Sequence, residues 1–384
     1  MPRLRLAFVV SMLNQFGGMQ RSLLRIAREC QRRGHDVTLY SGELRGKAPE
    51  GLKLELLQSR AWSNVSANDR LASAFQRAIR GKSYDCIVGF TKLPGLDVYY
   101  AGDPCFAARI AHSKSWWNRL LPRYRGLRRQ EGHVFARGRD TEILLFAHQE
   151  KTRYQHYYAT EEARLHLLPP GINRERLLCY AADHQVRRLV REELHIANTG
   201  KMLLMVGGFF HTKGVDRAIR AVAALPQALR QRTVLVVVGG DDSAAFVQLA
   251  DRLGVAEQLV FTGGREDVGR FYYAADLLIH PSYTENTGSA ILEAMVCGLP
   301  VLTTDNCGFA GHVEAAQAGR VCPEPFRQDC LNDTLQSLLQ SDDDEQLRAN
   351  ARSYTEQTDL YSLIDKAVDV IEARAVRDRG RRLT

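Results

Sequence analysis

The chain has 384 residues, of which 45% are hydrophobic and 25% charged; this composition excludes disordered, collagen-like and low-complexity classes. At roughly 100–200 residues per domain, the length points to two domains, each large enough to bury a core. The net charge is +8, with 43 Arg against only 9 Lys, which directs attention to anionic partners.

The first apolar run, Leu4 to Val10, follows Arg3 and Arg5 and so mimics a signal peptide. Asn14-Gln15 and Gly17-Gly18 come next instead of a cleavage site, so the run reads as a strand over 6–10. Leu23, Leu24, Ile26 and Ala27 form the apolar stripe of a helix over 19–33, stopped by Gly34. Strands follow at 36–41, 84–89, 142–147 and 164–168. Pro169-Pro170-Gly171 is the strongest breaker in the chain and marks a domain boundary.

A second series starts at Met202. Near-continuous apolar strands at 202–206, 234–238, 259–262, 277–279 and 301–303 alternate with helical patterns. Strands buried on both faces read this way, so each half is expected to be a parallel α/β sheet with helices on both sides. Residues 326–376 read as helical with an interruption near Gln357-Thr358, and 374–384 as a frayed basic tail. No apolar run reaches the ~18 residues that span a bilayer. The eight Cys show no Cys-x-x-Cys pair, so they read as reduced, mostly buried thiols, with no zinc site expected.

Parallel sheets bind ligands beyond the carboxyl ends of their strands. Three such junctions carry glycine. Gly17-Gly18 follows the first strand, where backbone N–H groups can approach an anion; a simple turn is the commoner explanation of a bare Gly-Gly. Gly207-Gly208 precedes Phe209, Phe210, His211, Thr212 and Lys213. The Lys213 ammonium suits a phosphate, although a solvated loop lysine is the plainer explanation. Neither junction is Gly-x-Gly-x-x-Gly or a P-loop.

The third junction runs from Glu285 to Glu293 through Thr287, Gly288 and Ser289, which read as a helix start. Two Glu eight residues apart would lie about 12 Å apart on a continuous helix. That is too far for an acid/base pair on one bond, but it suits hydroxyl groups at two ends of an extended ligand. Glu293 sits among Ile291, Leu292, Ala294 and Met295, where a charge needs a partner.

Glu285 to Glu293 resembles the Glu-x7-Glu signature of family 4 glycosyltransferases, which are retaining enzymes of GT-B fold. Gly264–Val268, Tyr273–Pro281 and Gly298–Leu302 are similar to that family as well. Residues 17–21, 95–99, 168–172, 213–217 and 359–363 resemble the branch that glucosylates the first heptose of the lipopolysaccharide inner core.

The resemblance implies two Rossmann-like doubly wound domains facing across a cleft. Residues 1–168 would bind the acceptor and 169–356 the nucleotide-sugar, with 357–384 a helix crossing back and a basic tail. It implies that Glu293 binds the ribose of a UDP-sugar, most simply UDP-glucose, and that Glu285 with Thr287, Gly288 and Ser289 holds the sugar. Lys213 would offset the diphosphate beside Gly208, Gly17 and Gly18 would meet the donor, Arg265 would lie near uracil, and Asp103 near the reacting centre. Catalysis would then rest on Asp103, Glu285 and Lys213, with no cofactor and no metal. One departure stands out: the branch has Arg immediately before the lysine, and this chain has Thr212, leaving His211 as the nearest substitute.

Charge is unevenly placed. Residues 1–168 carry a net +13 and residues 169–384 a net −5, while 105–139 alone holds nine basic residues and one acid. Trp116, Trp117, Arg119, Arg123, Arg125, Arg128 and Arg129 combine interfacial aromatics with cations, as in a helix lying on an anionic membrane; a core-facing stripe with solvated Arg is the alternative. Pro122 breaks the segment or opens a second helix. No nucleic-acid motif accompanies the charge. The resulting expectation is a cytoplasmic enzyme, peripheral on the inner membrane, acting on a lipopolysaccharide heptose. A family 4 enzyme with another sugar or glycolipid, a nucleotide-sugar hydrolase or epimerase, and a non-enzymatic membrane-binding protein are the alternatives.

Overall fold

The computed structural model describes residues 2–14, 18–59, 63–111, 121–181 and 185–383. The chain divides into two compact units, residues 1–169 with 362–384, and residues 170–361.

The first unit holds a seven-stranded sheet in the spatial order Lys53–Leu56, Asp36–Ser41, Arg5–Val10, Cys86–Gly89, Val98–Tyr100, Glu142–Leu145, Leu165–Leu167. All its pairings are parallel. Leu6, Phe8 and Val10 enter one apolar cluster and Ala7 and Val9 another, so the central strand is buried on both faces. Helix Gly18–Arg32 packs Leu23, Ile26 and Ala27 into the first of these clusters and ends before Gly34, whose φ of +92° only glycine adopts freely. The strands at 53–56 and 98–100 escape the sequence reading. Lys53–Leu56 is a half-exposed edge, and Val98–Tyr100 is only three residues long.

The second unit holds six parallel strands in the order Leu259–Gly263, Thr233–Val238, Lys201–Val206, Leu277–His280, Val301–Thr304, Gly319–Cys322. Numbered along the chain this is 3-2-1-4-5-6, the Rossmann order. Met202 and Leu204 face one core and Leu203 and Met205 the other. The order reverses between Lys201–Val206 and Leu277–His280, and a crevice at such a reversal is where doubly wound sheets bind ligands.

Leu360 is fully buried in the second unit's core, and the chain returns to the first unit at Ser362. Helix Leu363–Leu383 packs Ile364, Ala367, Val368, Ile371 and Ala375 against Leu4, Leu6 and Cys30. Arg33 ties its outer face through Asp369 at 2.7 Å and Glu372 at 3.0 Å. The frayed tail expected from Arg374 onward is therefore corrected. Arg374 is buried and bonds Asp140 at 2.6 Å and Asp378 at 2.8 Å, and the helix continues to Leu383. The helical stretch before it breaks at Ser341–Asp343 as well as after Gln357.

Among the described residues no helix is long and apolar enough to cross a membrane. All eight cysteines are free; Cys179 is exposed and Cys330 half-buried, and the other six are buried.

Candidate active site

At the reversal point of the second sheet, the strand Lys201–Val206 opens into Gly207, Gly208 and the short helix Phe210–Lys213. Gly207 has φ +132°, and a Cβ there would stand 3.1 Å from Lys213 Cε. A Cβ on Gly214 would strike the Pro281 carbonyl, so the loop after Lys213 lies directly against the loop after Leu277–His280. Space around Gly208 is open. Phe209 takes a left-handed conformation, φ +56° and ψ +56°, at a cost of about 1–2 kcal/mol for a side chain.

The close approach at Gly214 brings Lys213 to Glu285. Lys213 Nζ pairs with Glu285 Oε1. His280 Nε2 lies 2.6 Å from Glu285 Oε2, and Ser282 Oγ donates to the same oxygen at 3.1 Å. Burial disfavours the charged forms of His280 and Glu285, and attraction within the cluster overrides it. Burial pushes the His280 imidazolium down, but the Glu285 carboxylate pushes it further up, to about 9. Burial raises the Glu285 carboxyl, but His280 and Lys213 hold it well below the usual carboxylate range. Lys213 and His280 both bond this one carboxylate, which gathers two basic side chains where a phosphate could be received.

Backbone contacts fix the carboxylate's position. Glu285 N donates to Asn306 O at 3.1 Å, Gly308 N to Glu285 O at 3.1 Å, and Phe309 N to Thr287 O at 2.8 Å. Gly288, with φ +83°, then opens helix Ser289–Val296, whose start has no side-chain cap. The continuous helix assumed in the 12 Å spacing is thus corrected, because Glu285 precedes the helix in an extended bridge to Cys307. His280, Glu285 and Cys307 offer ligand atoms within 4.8 Å of one another. Lys213 and a protonated His280 already occupy the carboxylate, which makes this donor set an ion-pair cluster.

Glu293 has the partner its apolar surroundings require. The buried Tyr272 hydroxyl donates to Glu293 Oε2 at 2.7 Å. That leaves the other carboxylate oxygen for a ligand. Arg265 is fastened by Asp267 of its own loop at 2.8 and 2.9 Å and by Glu193, at the end of helix Val186–Glu193, at 3.2 Å. His211 stacks on Tyr283 with centroids 5.2 Å apart. The backbone N–H of Tyr283 bonds Thr212 O at 2.9 Å. Arg217, missed in the sequence, lies 3.6 Å from both the Tyr283 and the Phe326 rings and donates to the Pro281 and Ser282 carbonyls. It therefore props the His280–Ser282 loop from beneath.

In the first unit, Asp103 is exposed, and its carbonyl accepts from Tyr154 at 3.2 Å. Gly18 starts its helix with open space around it. Gly17, Trp116, Trp117 and Arg119 lie outside the described residues. Pro122 opens helix Pro122–Phe135, which exposes Arg123, Arg125, Arg128 and Arg129. Arg129 pairs with Asp69 at 2.5 Å.

The lone acid of the basic segment, Glu131, is fully buried. It accepts from Lys92 at 2.7 Å, from the backbone N–H groups of Phe106 and Ala107 at 3.0 Å, and from the Tyr158 hydroxyl at 2.8 Å. Glu150 accepts from Cys105 N at 2.7 Å. Together these two carboxylates cap helix Phe106–Ala111, directly after Asp103.

Residues 186–358 match the family described as Glycosyl transferases group 1, and residues 16–176 the one described as Glycosyltransferase Family 4. The lipopolysaccharide glucosyltransferase WaaG of Escherichia coli strain K12 is 39% identical over 366 residues, spanning 95% of this chain and 98% of that protein. The chain belongs to glycosyltransferase family 4. The crystal structure of WaaG, described as a glycosyltransferase involved in lipopolysaccharide biosynthesis, matches with a TM-score of 0.90 over 95% of this chain and 99% of that one. The Anabaena protein Alr3699/HepE, in complex with UDP-glucose, shares the fold, with a TM-score of 0.73 at 18% identity over 96% of this chain and 98% of that one.

Within this GT-B glycosyltransferase, the second unit gathers Lys213, Glu285 and the Gly288–Ser289 helix start on one side of its sheet. His280, Ser282, Arg217 and Tyr272 hold those groups in place. His280 lies one residue beyond the strand read at 277–279, and nothing in its spacing marked it as the partner of Glu285.

Proposed function

We propose that this glycosyltransferase moves glucose, with retention, from UDP-glucose to a heptose of the lipopolysaccharide inner core. The observation carrying the proposal is the Lys213–Glu285–His280 cluster, set beside the Gly288 helix start at the sheet's reversal point, in a chain 39% identical over nearly its whole length to a lipopolysaccharide glucosyltransferase.

The cluster and the helix start would receive the diphosphate and stabilise the charge that builds as UDP leaves. Lys213 is assigned the moving role. It would turn from Glu285 to a phosphate oxygen, while Glu285, still held by His280 and Ser282, accepts from sugar hydroxyls. Glu293, fixed by Tyr272, would accept from the ribose hydroxyls. The acceptor hydroxyl attacks on the face the diphosphate leaves, and a leaving phosphate oxygen takes its proton. On this reading positive charge at the diphosphate comes from Lys213 and the helix end, without a metal. His211, stacked on Tyr283, stands where a cation is wanted next to Thr212. Arg265 would border uracil, Gly17 and Gly18 would contact the donor, and Asp103 would lie near the acceptor.

The exposed Arg123, Arg125 and Arg128 support docking of the first unit on anionic lipid at the cytoplasmic face of the inner membrane. The test is transfer of labelled sugar from a panel of UDP-sugars to heptose-terminated core presented in anionic or neutral vesicles. UDP-glucose and anionic vesicles should give the fastest transfer. No turnover with any UDP-sugar would sink the proposal, and equal rates on both vesicle types would remove its membrane part.

Replacing Glu293 by alanine should raise the dissociation constant for UDP about tenfold, the loss of a charge-assisted hydrogen bond. Calorimetry measures it, and an unchanged constant would refute the ribose role.

A further inference from the structure

Phe209 is the one side chain of the Gly207–Lys213 loop that the donor-site roles leave unexplained. It is 79% exposed, the most exposed large hydrophobic residue among those described. Its backbone is left-handed, a conformation disfavoured for a bulky side chain. The loop is firmly built around it. Phe209 O accepts from Lys213 N at 3.0 Å, and Phe210 N donates to Asp241 Oδ2 at 2.8 Å. Phe210 is buried against Phe246 and Phe261. Pinning Phe210 inward leaves Phe209 facing out, and no ring among the described residues stacks on it. Two unfavourable features, an apolar ring in water and a strained backbone, coincide one helical turn from Lys213. Strain retained at such a place points to a ligand that uses the ring.

We propose that Phe209 is a stacking surface for the hexose ring of the nucleotide-sugar, which rests on the donor reading given above. A pyranose has one face of C–H groups and a rim of hydroxyls. The phenyl ring would cover the apolar face while Glu285, released by Lys213 and still held by His280 and Ser282, takes hydroxyls at the rim. Open space around Gly208 leaves room for a ring beside it. Such a surface selects for a sugar attached to the diphosphate and adds nothing to binding of the nucleotide alone.

Calorimetric titration of UDP-glucose and of UDP into the wild type, Phe209→Ala, Phe209→Gly and Phe209→Tyr tests this. The alanine and glycine variants should bind UDP-glucose about three- to tenfold more weakly, the range of an aromatic contact, with UDP affinity unchanged. The tyrosine variant should match the wild type. The glycine variant should melt at or above the wild-type temperature, because glycine relieves the left-handed strain, and that separates loss of the ring from damage to the fold. Unchanged UDP-glucose affinity in Phe209→Ala, or equal weakening toward UDP, overturns the stacking role. A wild-type protein that binds UDP but not UDP-glucose overturns the donor reading and this role with it.

Discussion

Replacing Glu285 by glutamine is expected to lower kcat by at least about a hundredfold, the scale seen when a group organising transition-state charge is lost. In the wild type this carboxylate is the only acceptor shared by Lys213 and His280 in the cluster. Without its charge, Lys213 loses the partner that positions it, and the sugar loses its strongest hydroxyl acceptor. His280 responds as well. Burial alone pulls its imidazolium down, and Glu285, with a smaller contribution from Cys307, lifts it to about 9. In the glutamine variant the ring should therefore titrate well below its wild-type position, which imidazole NMR would detect.

The sign of the pH dependence follows from the same pair. A raised His280 stabilises the fold fully below about 6.5, and that contribution fades as pH rises through about 9. A depressed Glu285 stabilises above its ordinary 4.5 and fades as pH falls through its lowered value. The wild type should thus exceed the variant in stability most clearly between about pH 4.5 and 6.5, with the gap closing toward pH 9. A His280 titration that is the same in both proteins would contradict this account.

Replacing Glu131 by alanine should destabilise the first unit by about 3–5 kcal/mol, the cost of breaking a buried ion pair. Lys92 would lose its anion, the Phe106 and Ala107 N–H groups their acceptor, and the Tyr158 hydroxyl its partner, all at once. The loop carrying Asp103 leads directly into that helix start, so activity should fall along with stability. Glutamine at 131 keeps an acceptor oxygen and should cost less. Thermal unfolding with hydrogen-exchange readout would place the loss in residues 86–111 and 122–158. A melting temperature within a degree of the wild type would show that the network is dispensable.

The alternation of apolar strands made both parallel sheets legible, because strands buried on two faces leave unbroken apolar runs at 202–206 and 234–238. The short strand Val98–Tyr100 left no such trace. Lys213 and Glu285 stood out by their junctions, but their pairing spans 72 positions and is set by the Gly214–Pro281 approach, which sequence spacing does not encode. Glu131 was hidden by its surroundings. Among nine basic residues a single acid reads as incidental, whereas in the fold it is the one charge of that segment turned inward among the described residues. The tail at Arg374 misled for the opposite reason: its charges read as solvated, but Asp140 and Asp378 receive the first of them.

The most direct test of the central claim is the anomeric configuration of the product formed from UDP-glucose and heptose-terminated core, read by NMR. The account predicts an α-glucosyl heptose, formed at a rate that depends on Lys213 and Glu285. A β-linked product, or free glucose formed at the same rate without acceptor, would contradict it.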